Sequence, residues 1–258
     1  MKLSTLFNDQ PDIEITGLAM DSRKVKPGNV FFCIEGLEAD GHNFAGKAVE
    51  AGAVAIVHSK DIPEQKGIAY IRSNRVGDEL NRACDIFNGR PSSRLTVFGV
   101  TGTNGKSTTA SIISDIYSAK EPCGYMGTIA VRYGSYSRVP TLTTPDQIEV
   151  HSDLAEMADH GMKAAAMEVS SHGLAMGRVD TVDFDCAIFT NLTYDHLDYH
   201  KTMENYFDAK KILFKNIKKD GVAVLNADDE ASIDGLKACC NCRYVTYGTG
   251  VLGQADYQ

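Results

Sequence analysis

The run LTVFGV-TGTNGKS-TTASIISDIYSA, residues 95–119, decides the fold. Its first six residues are apolar and β-branched enough for a short strand, and its last twelve read as a helix. Gly102 and Gly105 in the intervening loop let the backbone turn tightly and approach an anion. Successive N–H groups then point inward, and the helix adds its positive N-terminus. Lys106 is placed to reach outer phosphates, and Ser107 to offer its hydroxyl to Mg²⁺. The candidate contacts to ATP are therefore Gly102, Thr103, Asn104, Gly105, Lys106, Ser107 and Thr108. A glycine-rich turn before an ordinary helix is the plainer alternative, but it gives no reason for a lysine at the helix mouth. The common spacing G-x-x-x-x-G-K-[ST] puts its first glycine where this chain has Val100; here the glycine stands one step earlier, at Gly99.

Working outward, residues 1–88 read as a small α/β unit. Strands are expected at Val30–Ile34, Ala53–Val57 and Ile68–Ile71, and helices at Phe44–Ala51 and Val76–Phe87. NGRPSS, Asn88–Ser93, has the composition of a linker. Residues 89–258 form the second unit. After the phosphate loop, Thr144-Pro145-Asp146-Gln147 suggests a helix start with Thr144 as N-cap and Gln147 closing a capping box. That helix runs to about His160. Strands follow at Ala164–Val169, Cys186–Thr190 and Gly221–Leu225, with a helix over Met203–Ile217 and a last strand and turn in RYVTYGTG. Strands alternating with helices predict an α/β fold, a mostly parallel sheet with helices on both faces.

The chain has 258 residues, 43% of them hydrophobic, enough to bury a sizeable core. Its formal net charge of -8 argues against a nucleic-acid or membrane-surface binder, since either wants a basic face. A local anion site built from backbone N–H groups escapes that count. No run is long enough to span a bilayer, and MKLSTLFNDQPDIEI has no apolar signal core. The expectation is a cytoplasmic monomer working on small molecules, with no nucleic acid and no membrane insertion. Cys239, Cys240 and Cys242 cluster, but no second pair at zinc spacing follows, so reduced thiols are the reading.

Three further constellations carry chemistry. Glu168 ends the strand AAAMEV and precedes Ser170, Ser171 and His172; in open α/β sheets ligands bind beyond the carboxyl ends of strands. A lone strand-end acid is more often solvated, but SSH beside it favours a cation ligand. FTNLTYDHLDYH, Phe189–His200, packs Asn191, Asp195, His196, Asp198 and His200 into one segment, a density that suggests metal or nucleotide contacts against the alternative of a capped polar loop. Lys210 and Lys211 lie on the helix after it, where a lysine is usually a solvated surface residue.

TGTNGKS, TTPD, EVSSHGL, FTNLTYDHLDYH and the following DAK occur in the order seen in Mur ligases, and the chain resembles that family over essentially its whole length. The Asp21-Ser22-Arg23 pattern, Pro27-Gly28 and ADGHNF are similar to the UDP-binding domain of the branch that adds the third residue of the peptidoglycan peptide. The resemblance implies an acyl-phosphate mechanism. ATP phosphorylates a carboxylate of UDP-N-acetylmuramoyl-L-Ala-D-Glu, and the amine of meso-diaminopimelate or L-lysine attacks. It implies catalytic roles for Lys106, Lys210 and His196, one Mg²⁺ on Ser107 and Glu168, and a second near His196. It implies carbamylation of Lys210, which turns a cation into a carboxylate-like ligand, and leaves Lys211 at the surface. Asn191 is implied at the nucleotide, and Ser22, Thr143, Thr144, Ser170 and Arg178 at the UDP-linked peptide. Arg178 also suits that part physically, because a guanidinium pairs with carboxylate or phosphate as a fork. Ser107 stands where Thr is usual, and Met176 where some relatives carry a Gln. Members of the family continue past the point matching Gln258 into a third domain, so the chain reads as a fragment of the ligase with little turnover by itself. Two other readings stay open: a P-loop kinase or NTPase without amide chemistry, and a non-catalytic module binding nucleotide or UDP-sugar.

Overall fold

Four short strands with alternating side chains organise the N-terminal part of the computed structural model, which describes residues 1–36, 39–250 and 255–258. The chain divides into two units, Met1–Gly89 and Arg90–Gln258. In the first, β1 (Gly17–Ala19), β2 (Asn29–Phe32), β3 (Ala55–His58) and β4 (Ala69–Arg72) form a parallel sheet in sequence order. Successive side chains of a strand leave on opposite faces. Phe31 and Ile56 accordingly join Ala45 and Ala48 of α2 (Ala45–Glu50) in one buried cluster. The neighbouring Phe32 instead faces Phe7, ring centroids 6.4 Å apart. Phe7 follows α1 (Leu3–Leu6), and α3 (Val76–Phe87) packs against α1, β1 and β2.

The second unit is built on eight strands. They are β5 (Thr96–Thr101), β6 (Cys123–Met126), β7 (Val131–Tyr133), β8 (Tyr136–Arg138), β9 (Ala164–Glu168), β10 (Cys186–Phe189), β11 (Val222–Asn226) and β12 (Arg243–Tyr247). Their order is β12-β11-β10-β5-β9-β6-β7-β8, parallel except for the antiparallel pairings of β6 with β7 and β7 with β8. The helices are α4 (Lys106–Ser118), α5 (Gln147–Asp159), α6 (Ser171–Ala175), α7 (Leu197–His200), α8 (Met203–Asn216) and α9 (Glu230–Cys239). One face of the sheet buries Val97, Met167 and Phe184 with Leu154 and Met157 of α5 and Leu213 and Phe214 of α8. The other buries Val100, Tyr125 and Ile188 with Ala110 of α4. Helices thus cover both faces, and the sheet is mostly parallel, as the alternating pattern predicts. All seven cysteines are free thiols. Among the described residues, no helix is long and apolar enough to cross a membrane.

Two local expectations change. The cap of α5 is Asp146, whose carboxylate accepts from the Glu149 N–H at 3.0 Å. Thr144 turns inward instead: its hydroxyl donates to the Glu168 carbonyl at 3.0 Å and accepts from the Ser170 N–H at 2.9 Å. A buried Thr hydroxyl beside a strand end satisfies two backbone groups there, which leaves the cap to the next side chain able to reach back. The short strands β6, β7 and β8 have no counterpart in the sequence reading.

Gly99 has a packing role rather than a phosphate-loop role. A Cβ on it would stand 2.7 Å from a ring carbon of Phe184 and 3.3 Å from Leu213. Gly99→Ala is therefore expected to lose about 1–3 kcal/mol of stability through overpacking. Gly77→Ala, in the open on α3 with nothing within 4 Å of the added methyl, should gain roughly 0.5 kcal/mol. Urea midpoints of the two variants check the pair, and equal midpoints would show that Phe184 yields freely.

Candidate functional site: a phosphate loop and the cavity beside it

Parallel pairing of β5 with β9 on one side and β10 on the other brings three strand ends together at Thr101, Glu168 and Phe189. The loop 102–105 leaves β5 and lies directly against residues 190–193. Gly102, at φ +148°, has no room for a side chain, since a Cβ would fall 1.9 Å from the Thr190 hydroxyl. The loop is then clamped. Thr103 N–H donates to the Asn191 carbonyl at 2.8 Å, and Asn104 N–H to Asn191 Oδ1 at 3.0 Å. Asn191 Nδ2 and the Thr190 hydroxyl both donate to the Asn104 carbonyl, at 3.1 and 2.7 Å. Thr103 Oγ1 meets the Tyr206 hydroxyl at 3.1 Å. Asn191 thus spends its carboxamide on the loop itself.

The helix bond from Thr109 N–H to Gly105 O opens the ladder of α4. The N–H groups of Lys106, Ser107 and Thr108 lie before it, aimed out of the helix mouth. Lys106 folds back, its Nζ donating to the carbonyls of Gly102 at 3.0 Å and Thr103 at 2.7 Å. Lys210 comes from α8, buried, and donates to the same Gly102 carbonyl at 2.8 Å, with its Nζ 4.3 Å from the centre of the Tyr206 ring. The surface reading of this residue type fails for Lys210 because α8 packs over the loop. It holds for Lys211, which turns outward to pair with Asp208. Burial, and then the Lys106 charge, push the Lys210 amine down to about 7, against a weaker opposing pull from Asp195. Burial also lowers the Lys106 pKa, partly offset by Glu168 and Asp195.

Glu168 is not a solvated strand-end acid. It is 1% exposed, and Ser107 Oγ donates to its Oε2 at 2.8 Å. Tyr125 OH at 2.6 Å and Thr128 N–H at 2.8 Å donate to Oε1, and Thr128 Oγ1 lies 3.2 Å from Oε2. Sequence reasoning misses Tyr125, Gly127 and Thr128, since CGYM offers only four residues of signal between Pro122 and Gly127. Among the described residues no group of three or more His, Cys, Asp or Glu is placed to hold an ion. A cation here has to draw on hard oxygens, and the Ser107 hydroxyl with Glu168 Oε2 supplies two, which suits Mg²⁺.

A cavity of about 230 Å³ opens beside the loop. Gly102, Lys106 and Lys210 line one side, Thr143, Thr144 and Ser170 another, with Arg178, His172 and His196 around the rest. Arg178 donates to the Thr144 carbonyl at 2.8 Å and touches Met176 Sδ at 3.1 Å. Ser170 caps α6 by accepting the Gly173 N–H at 3.0 Å. His196 adopts φ +53°, an uncommon conformation outside glycine, and its ring stands edge-on to His172 at 5.0 Å. His172 also packs against Tyr199 and His200, and the His200 Nε2 meets the Ser171 hydroxyl at 3.0 Å. Burial lowers the pKa of His172 and of His200, and neighbouring cationic groups add to it. The structure therefore gathers Gly102, Lys106, Thr143, Thr144, Ser170, Arg178, His196 and Lys210 around one cavity, with Ser107 and Glu168 adjoining through α4 and β9. Asn104 in the loop and Thr108 in the first turn of α4 are exposed. Ser22 belongs to the first unit, where it lines a separate cavity of about 510 Å³ walled by Phe31, Ile34 and Phe44.

Known proteins share this fold. The model of the Mur ligase middle domain matches residues 100–255, and that of the Mur ligase catalytic domain matches residues 14–84. A Bacillus velezensis protein named UDP-N-acetylmuramoyl-L-alanyl-D-glutamate–2,6-diaminopimelate ligase is 43% identical over 93% of the chain and 50% of its own length. The Listeria monocytogenes protein of the same name is 41% identical over 100% of the chain and 55% of its own length. A solved structure of a ligase of that name superposes with a TM-score of 0.80 at 28% identity, covering 100% of the chain and 54% of the other. The chain spans about half the length of the curated relatives it matches. With a family model matched across most of its second unit and another across most of its first, the chain belongs to the Mur ligase family.

Proposed function

We propose that the whole protein to which these residues belong is an ATP-dependent ligase that joins 2,6-diaminopimelate to UDP-N-acetylmuramoyl-L-Ala-D-Glu. The observation that carries this reading is the meeting of Lys106, Lys210 and Arg178 around one cavity at the mouth of a phosphate loop. The names of the relatives support the choice of substrates. In the reaction, a carboxylate oxygen of the D-Glu residue attacks the γ-phosphorus of ATP, and ADP leaves. The amine then attacks the acyl carbon, phosphate leaves, and the amine's proton passes to solvent or a base. Phosphoryl transfer of this kind needs positioning and charge neutralisation more than covalent help.

The chain's own residues fit those tasks. Lys106 leaves the carbonyls of Gly102 and Thr103 for the outer phosphates, and the N–H groups of Lys106, Ser107 and Thr108 receive phosphate oxygens. Arg178, Thr143 and Ser170 hold the acidic peptide part, and Ser22 lies at the uracil end in the first unit's cavity, whose phenylalanine walls suit a flat ring. Ser107 and Glu168 would hold one Mg²⁺, and His196 with carbamylated Lys210 a second; the ions supply charge neutralisation on the phosphates. Carbamylation needs an uncharged amine, since its lone pair must attack CO₂. A Lys210 titrating near 7 offers one under neutral conditions.

Calorimetric titration with Mg-ATP and with UDP-N-acetylmuramoyl-L-Ala-D-Glu tests the binding half of this reading. Both ligands should bind the folded chain, and Lys106→Ala should weaken ATP by on the order of 10²-fold, roughly the loss of a charge-assisted phosphate contact. Absence of binding by either ligand to the unsubstituted chain would remove the support. A second expectation concerns pH. The folded-state pKa of Lys210, about 7, lies below the unfolded value near 10.4. The unfolded chain therefore binds the extra proton throughout that window, and stability rises as pH climbs from about 7 towards 10. Lys210→Met removes the buried charge, so the variant should gain most over the parent below pH 7, by up to a few kcal/mol. Urea unfolding of both proteins at pH 6.5 and 9.5 in CO₂-free buffer decides it, and an unchanged difference between the two pH values counts against the buried-amine assignment.

A further inference from the structure

Glu168 is held asymmetrically. Its Oε1 accepts from Tyr125 OH at 2.6 Å and from Thr128 N–H at 2.8 Å. Two donors at those distances fill the two lone-pair directions of one carboxylate oxygen. The backbone closes over the same atom: a Cβ on Gly127 would stand 2.1 Å from Oε1, so only glycine fits there. Oε2 faces the other way, toward Ser107 Oγ at 2.8 Å. Thr128 Oγ1, 3.2 Å from Oε2, has a second partner in Thr143 Oγ1 at 3.0 Å and so need not stay on the carboxylate.

The phenol is itself fixed. Tyr125 is 2% exposed, the Arg132 guanidinium lies 5.2 Å from its ring centre, and Arg132 is tied down by Asp115 at 2.6 Å. A phenol, with an ordinary pKa of about 10, carries its proton under neutral conditions and so donates to the carboxylate.

Mg²⁺ and Ca²⁺ differ in what they ask of a carboxylate. Mg²⁺ needs near-octahedral geometry and takes single oxygens at about 2.0–2.1 Å. Ca²⁺ accepts six to eight ligands at about 2.3–2.6 Å and commonly takes both oxygens of one carboxylate. We propose that Tyr125 is a specificity-determining residue of the cation site: by occupying Oε1 it restricts Glu168 to a single offered oxygen, which favours Mg²⁺ over Ca²⁺. The proposal rests on the reading of Glu168 as a cation ligand. Tyr125 acts through Glu168, as outer partners of metal ligands do, where loss of such a partner changes metal affinity by about 10–100-fold.

The test measures ATP affinity of this chain by calorimetry in Mg²⁺, in Ca²⁺ and in EDTA. The parent chain should bind ATP more tightly in Mg²⁺ than in Ca²⁺. Tyr125→Phe keeps the ring and frees Oε1, so the Mg²⁺-to-Ca²⁺ affinity ratio should fall about tenfold, while affinity in EDTA changes little. Tyr125→Met, which fills the ring's space without a hydroxyl, should lower the ratio in the same direction and serves if the first variant folds poorly. A folded Tyr125→Phe protein that keeps the parental ratio overturns the proposal. Glu168→Gln separates this from the underlying reading. If ATP binding by the parent ignores the cation, or Glu168→Gln leaves the cation effect intact, the reading of Glu168 fails and the proposal with it. If Glu168→Gln abolishes the effect and Tyr125→Phe spares the ratio, only the role of Tyr125 is lost.

Discussion

β5 runs in parallel between β9 and β10, and that pairing constrains everything else in the second unit. Parallel strands deliver their carboxyl ends to one edge of the sheet, where backbone direction and helix N-termini favour ligands. Here the edge receives Thr101, Glu168 and Phe189 from three neighbouring strands. The distance between adjacent strands is small and fixed. The loop after β5 must therefore pass within contact of the segment after β10, and Gly102 without a side chain is the condition for doing so beside Thr190. The same closeness lets Ser107, the second residue of α4, reach Glu168 across the sheet edge. Site geometry follows from strand register more than from any single loop residue.

That dependence explains what the sequence shows and what it hides. The strand, loop and helix around TGTNGKS are legible because apolar period, glycine placement and the lysine all lie within one local stretch. The capping assignment at TTPD fails because it weighs only local partners. Thr144 finds its hydrogen bonds on Glu168 and Ser170, more than twenty residues away, and Asp146 is left to cap α5. Gly99 misleads for the same reason: its neighbour in space is Phe184, on the approach to β10. Lys210 is readable as a site residue through resemblance, since its helix pattern alone fits a solvated lysine. Its burial arises from α8 crossing over the loop. Tyr125 is hidden more deeply, in a four-residue strand whose only local signal is a short apolar run.

The net charge of -8 describes the surface and says little about this edge. Around the cavity the order reverses. Lys106, Lys210 and Arg178 bring three cationic side chains together, while burial keeps His172 and His200 from adding easily to them. Asp195 and Glu168 oppose the lysines only in part, and Glu168 has its own donors in Tyr125, Thr128 and Ser107. A small basic pocket within an acidic molecule draws anions locally without making the whole surface sticky to polyanions.

The two lysines show what the pocket requires. Lys106 and Lys210 both donate to the Gly102 carbonyl. A carbonyl is a dipole with a partial charge, and two ammonium groups directed at one oxygen repel each other more than it can offset. Deprotonation of Lys210 relieves the repulsion, which is why the Lys106 charge stands beside burial in drawing its pKa down. Addition of a negative group relieves it as well, whether on Lys210 itself or on a phosphate at the loop. The two lysines are thus opposed in charge, and the hydrogen bonds from Thr190 and Asn191 hold the loop's backbone in place beside them. An anion completes the electrostatics of a site whose covalent frame is already set.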